Sequence, residues 1–323
     1  MSDHFIREIE IKDYKLFHDF EAKGFGRVNL ISGKNNVGKT AFMEAACINV
    51  YSNSVSTMTD VLTSPKQARN FLEIGVRFLE DEEKKEYLEA SCPCDIVSNI
   101  QKTKFQIVED GGIKHYGFEY ANNRYLVNIN DFSFERNKRD DIKLITQLGF
   151  TKVQLKHVFE AVQKHDKENI LYEHIQLFDS NIVNFKIIGG DKPQCKTKDG
   201  IYRDINEFGD GLKRFISTIC SLYATENGYL FIDEIDNGIH YTQLDHFWEV
   251  ILTLSKEQNV QVFATTHSKE CIESYARLAK RLEDDEMIFV GLGRDKQGDI
   301  QSIILDRKSL EFELNQNHEV RGW

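Results

Sequence analysis

The chain has 323 residues, 41% of them hydrophobic and 29% charged, the make-up of an ordinary globular protein able to bury one large core or two modest ones. Its formal net charge of −11 argues against nucleic-acid binding by overall attraction, which rests on neutralised phosphates, and leaves room only for a local basic stripe, for example around Lys138 and Arg139. No apolar run approaches the roughly 20 residues that span a bilayer, Met1-Ser2-Asp3-His4 opens no secretory leader, and the six scattered cysteines read as reduced thiols, so a cytoplasmic protein without a membrane partner is expected.

Alternation over Phe5 to Ile11 predicts a half-buried strand, with a second near Phe20 and a largely apolar third at Val28-Asn29-Leu30-Ile31. Directly after it comes Gly33-Lys34-Asn35-Asn36-Val37-Gly38-Lys39-Thr40, the pattern G-x-x-x-x-G-K-[ST], continued by Ala41 in a helix over Thr40 to Cys47. Each part suits a nucleoside triphosphate. Gly33 and Gly38 let the backbone turn its N–H groups inward to phosphate oxygens, Lys39 adds a point charge, the Thr40 hydroxyl can ligate Mg²⁺, and the helix aims its positive end at the anion.

Further on, a strand is expected over Leu72 to Phe78 and a charged helix over Asp81 to Ala90. Phe105 to Ile129 alternates and is broken at Gly111-Gly112 and Asn122-Asn123, which predicts an antiparallel sheet with two hairpin turns. Between Asp140 and Phe178 the period lengthens into two helical stripes, one of Leu155, Val158, Phe159 and Val162, the other of Ile170, Leu171, Ile175 and Phe178. Strands return from Ile182, with a turn at Asp199-Gly200. The last third alternates: helix Leu212 to Thr225, strand Tyr229 to Ile232, helix Thr242 to Lys256, strand Val260 to Thr265, helix Ser268 to Glu283, strand Met287 to Leu292. That is the pattern of a parallel sheet with crossover helices. The expected class is α/β: a single nucleotide-binding domain with a discontinuous core, residues 1–60 and 182–323, and an inserted β and helical piece, residues 61–181.

Three further features point to the same chemistry. Leu230-Phe231-Ile232 runs into Asp233-Glu234, so Asp233 emerges at the carboxyl end of a buried strand, where open α/β sheets bind ligands, and can share Mg²⁺ with Thr40. Glu234 is then placed to polarise the water that attacks the γ-phosphate. His267, in Thr265-Thr266-His267-Ser268 at the end of a neighbouring strand, can hydrogen-bond that phosphate or water. Gly209-Asp210-Gly211 opens a helix whose free N–H groups face outward to an anion.

In order and content these motifs resemble the ABC-type ATPases of the SMC and RecF group, and most closely the compact ATPases related to the overcoming-lysogenization-defect (OLD) family of bacterial antiphage defence. The resemblance rests on Ile9 to Phe17, the cradle, Phe208 to Arg214 in the place of the signature motif, Phe231 to Tyr241 in the place of Walker B and D-loop, and Thr266-His267-Ser268 as the switch histidine. Gly209 replaces the family's serine, His240 stands where an aspartate is common, and Gln67 is a candidate for the Q-loop glutamine. The resemblance implies a P-loop fold of ABC/SMC-head type: a mixed central sheet with flanking helices, an antiparallel β lobe and a helical insertion. It also implies ATP hydrolysis with ATP and Mg²⁺ bound. A homodimer or higher oligomer is expected, in which the signature turn of one copy closes over the nucleotide of the other. Three outputs follow: control of a separately encoded effector, a RecF-like clamp on DNA, or nucleotide-dependent assembly with slow turnover.

Overall fold

The computed structural model describes residues 3–63, 81–110, 112–128 and 139–320. The strand expected over Leu72 to Phe78, and also Gln67 and Lys138, lie outside the described residues.

Among the described residues, fifteen strands form three sheets. The central one has the order β15-β14-β3-β13-β12-β8, where β3 is Val28–Gly33, β8 Ile142–Ile145, β12 Tyr229–Ile232, β13 Gln261–Thr266, β14 Met287–Arg294 and β15 Ile300–Asp306. All neighbours run parallel except the β14–β15 pair. Every residue of β3, β12 and β13 is buried, as covering both faces of a parallel sheet requires. Successive side chains go to opposite sides. Leu230 and Ile232 join a cluster with Phe215, Phe247 and Trp248 of the helices, whereas Tyr229, Phe231 and Phe263 join Phe42 and the second sheet's Ile11 and Phe118.

That second sheet is antiparallel, with the order β2-β1-β4-β5-β6-β7. It consists of β1 (Glu8–Tyr14), β2 (Phe17–Lys23), β4 (Cys94–Ser98), β5 (Lys102–Asp110), β6 (Ile113–Tyr120) and β7 (Asn123–Asn128). Among the described residues of the first third, only β3 enters the central sheet; β1 and β2 pair with each other and β1 with β4. The third sheet is β11-β10-β9, where β9 is Ile182–Ile188, β10 Lys192–Thr197 and β11 Tyr202–Asp204.

Helices follow the strands as their patterns indicate: Lys39–Tyr51, Asp81–Glu89, Lys152–Lys164, Glu168–Phe178, Asp210–Ala224, Leu244–Glu257 and Lys269–Leu282. A last helix, Arg307–Asn315, goes beyond the expected elements and is capped by the Asp306 side chain, which accepts from the Ser309 N–H. One expectation needs correction. The stretch from Asp140 is not helical at its start, because Ile142–Ile145 is β8, paired in parallel with β12. Four residues are too short for a period to show, so the strand is defined by its partner rather than by local pattern. No helix among the described residues is long and apolar enough to cross a membrane.

Phe263 packs its ring against Phe231 at 5.5 Å and 11°, and near Phe25 and Phe42. Phe263→Ala is expected to destabilise the fold by about 3–5 kcal/mol in urea denaturation, through lost burial and the cavity left between the two sheets.

Candidate nucleotide site

The cradle is shaped by two close approaches. A Cβ on Gly33 would lie 2.6 Å from the Leu292 carbonyl oxygen and from Val37 Cγ1, so only glycine lets β3 end there. Gly38 has φ 101°, and its Cβ position is 3.2 Å from the Phe17 ring and from Ile300 Cδ1. Lys39 begins the following helix and folds back, donating from Nζ to the carbonyls of Gly33 (2.7 Å) and Lys34 (3.1 Å). Burial pulls its ammonium below the ordinary lysine value, against the opposing pull of Asp233 and Glu234.

Asp233 follows β12 and is 6% exposed. Thr40 Oγ1 donates toward its carboxylate at 3.2 and 3.1 Å, and Thr265 Oγ1 donates to it at 2.6 Å. The same Thr265 hydroxyl accepts from the Glu234 N–H at 2.8 Å, so one buried side chain sets both acids. Glu234 stands at φ 49°, a left-handed conformation that costs a non-glycine residue about 1–3 kcal/mol. His267 is exposed immediately after β13.

Asn35, Asn36, Gly38, Lys39, Thr40, Ala41, Asp233, Glu234 and His267 line one cleft of about 600 Å³, together with Lys15, Leu16 and Gln147. Gln147 was hidden from sequence reasoning because β8, which delivers it, carries no local signal. Thr265 lies within the Thr265-Thr266-His267-Ser268 stretch, and its sequence signal is a hydroxyl near the carboxyl end of the strand beside that of Asp233.

Gly209, Asp210 and Gly211 are not among the residues lining this cleft. Gly209 (φ 82°) and Asp210 are exposed, but Gly211 is buried, and its Cβ position is 2.1 Å from the Gly238 carbonyl oxygen. The helix Asp210–Ala224 therefore begins in backbone contact with the loop after Glu234. Arg214 reinforces that junction. It is 4% exposed and donates to the carbonyls of Asp233 (3.0 Å), Thr146 (3.3 Å) and Gln147 (2.9 Å), and burial lowers its pKa from the ordinary arginine value. Arg214→Met leaves these carbonyls without their donor, and about 2–5 kcal/mol of stability is expected to go with it in urea denaturation.

A family model described as an AAA ATPase domain matches residues 80–272, more than half of the chain. A Helicobacter pylori protein named ATP/GTP phosphatase is 24% identical over 325 aligned positions, covering 83% of this chain and 86% of its own length. An Smc head bound to the C-winged helix domain of ScpA has a TM-score of 0.51 at 12% identity, over 94% of this chain and 98% of that one. An Smc head with an extended coiled coil, bound to the C-terminal domain of ScpA derived from Pyrococcus furiosus, has a TM-score of 0.52 at 10% identity, over 97% and 99%. The fold is thus a P-loop NTPase fold of ABC/SMC-head type. The chain belongs to the AAA ATPase domain family and is an ATPase.

Proposed function

We propose that this ATPase is a nucleotide-operated switch: two copies close around ATP, hydrolysis releases them, and the change is handed to a separately encoded effector. One observation carries the reading. The Thr40 hydroxyl and the Asp233 carboxylate meet at 3.1 Å in the cleft with Glu234 and His267, while Gly209 and Asp210 stay exposed outside it.

The converging oxygens of Thr40 and Asp233 are the hard donors that Mg²⁺ takes. When bound, the ion offsets charge on the phosphate oxygens. The backbone of Gly33 to Ala41 cradles the phosphates, and Lys39 exchanges its two carbonyl acceptors for phosphate oxygens. Glu234 accepts the proton of the attacking water, and His267 hydrogen-bonds the γ-phosphate or that water. The charge shell on the open side of the phosphate is completed by Gly209 and Asp210 of the second copy, whose exposed N–H groups begin a helix. Gly211, buried against Gly238, holds that turn in place instead of offering its own N–H. Leu16 in the cleft wall and Leu148 beside Gln147, 42% and 45% exposed, supply an apolar rim for such a partner to cover. The resemblance to compact OLD-like ATPases supports an effector in bacterial antiphage defence as the receiver of the switch.

Glu234→Gln is expected to lower ATP hydrolysis by about 10²–10⁴-fold and to accumulate as an ATP-bound dimer or larger assembly by light scattering. Undiminished hydrolysis would remove Glu234 from the chemistry. The name of the Helicobacter pylori relative motivates a second expectation. Apart from Leu16, Gly38 and Ala41, the lining residues carry polar or charged groups suited to phosphate and metal rather than to one base, so GTP should be hydrolysed with a kcat/KM within about tenfold of that for ATP.

A RecF-like nucleic-acid clamp is the second reading, favoured by one surface. Arg139 is paired with Asp141, but Lys186, Lys192 and Lys196 share the outward face of β9 and β10, and none is in an ion pair among the described residues. Stimulation of ATP turnover by duplex DNA, lost on charge reversal of these lysines, would favour the clamp over the effector switch.

A further inference from the structure

We propose that Lys15 contacts the bound nucleotide's phosphate chain and that Glu44 is the positioning residue that aims it. The inference rests on the nucleotide reading of the cleft.

Lys15 and Leu16 form the two-residue connection between β1 and β2, where Tyr14 pairs with Phe17. The backbone there is unusual for Lys15, which stands at φ 53°, a region seldom adopted by residues other than Gly, Asn and Asp, while Asp13 at φ 55° is one of those that do. The turn brings Lys15 to the wall of the cleft that also holds Lys39 and Thr40. Its ammonium is not loose in solvent but bonded to Glu44. Glu44 lies one helical turn after Thr40 on the same face of the helix Lys39–Tyr51, and it is 5% exposed. The Tyr14 hydroxyl donates to the same carboxylate oxygen at 3.3 Å. Burial, and after it the Glu44 charge, holds the Tyr14 pKa well above the ordinary tyrosine value, so that hydroxyl keeps its proton to donate.

A buried carboxylate is a poor device for stability alone, since apolar replacements of buried ion pairs are often neutral or stabilising. As an anchor it has a clear use. An ammonium has three donors, and the bond to Glu44 takes one. The others remain for phosphate oxygens in the cleft without leaving Glu44 unpaired, so nucleotide binding adds an acceptor to Lys15 and breaks nothing. The side chain is also held in place before the nucleotide arrives, which lowers the ordering cost of the contact. Because Lys15 belongs to the β1–β2 turn, this contact ties nucleotide occupancy to the antiparallel sheet as well as to the central one.

The test measures binding of a fluorescent ATP analogue, and KM and kcat for ATP, on the full chain. The variants are Lys15→Met, Lys15→Arg, Glu44→Gln and the double variant Lys15→Met/Glu44→Gln, with Lys39→Ala as the reference for the cleft. Lys15→Met should weaken binding about tenfold and raise KM in step with kcat nearly unchanged, and Lys15→Arg should restore most of the affinity. Glu44→Gln should weaken binding severalfold, yet add nothing on the Lys15→Met background, because it acts through Lys15. If Glu44→Gln does not fold, the contrast between Met and Arg at position 15 decides the contact. Wild-type affinity in Lys15→Met, or equal losses from Glu44→Gln on both backgrounds, overturns the proposal. If the wild type binds no better than Lys39→Ala, the nucleotide reading of the cleft fails instead.

Discussion

A carboxylate at the edge of a buried strand is costly to keep out of water, and the site depends on how Asp233 is kept there. Two hydroxyls approach it, Thr40 from the cradle and Thr265 from β13, and Thr265 also takes the N–H of Glu234. These bonds join three consecutive strands of the central sheet, β3, β13 and β12, at their carboxyl ends. The same pairing that closes the core therefore sets the spacing between a phosphate cradle and the two acids opposite it.

Arg214 extends the control outward. Its guanidinium binds the backbone at the ends of two neighbouring strands, at Asp233 after β12 and at Thr146 and Gln147 after β8, from a helix whose first residues are exposed. Gly211 against Gly238 removes the slack that side chains would leave between that helix and the loop after Glu234. Direct backbone contact there leaves little room for the loop to shift without the helix start, as the proposed nucleotide switch requires.

Much of this was legible in the chain. The positions of the cradle, Asp233-Glu234 and His267 were readable because β3, β12 and β13 are short, largely apolar runs buried on both faces, and a glycine or charged group at the end of such a run stands out. The alternating hairpins and the helical stripes of Leu155 to Val162 were readable for the same reason, a period matched to one buried face. What escaped depends on partners distant in sequence. β8 is a strand only because β12 lies beside it, and Gln147 came with it. Thr265 bonds Asp233 across 32 positions, and Lys15 meets Glu44 across 29. Gly211 read as a free helix start, and only the Gly238 backbone shows why it must be glycine and why it is buried.

The central claim is that the cleft is half of an active site and that a second copy supplies the rest. Mixing two variants tests it directly: Lys39→Ala, disabled in its own cradle, and Gly209→Arg, with an intact cradle but a blocked exposed turn. Each alone should be inactive. An equal mixture should recover about a quarter of wild-type ATP turnover, because half of random dimers are mixed and each mixed dimer has one intact composite site. A mixture no more active than its components, or full activity in Gly209→Arg alone, would contradict the account.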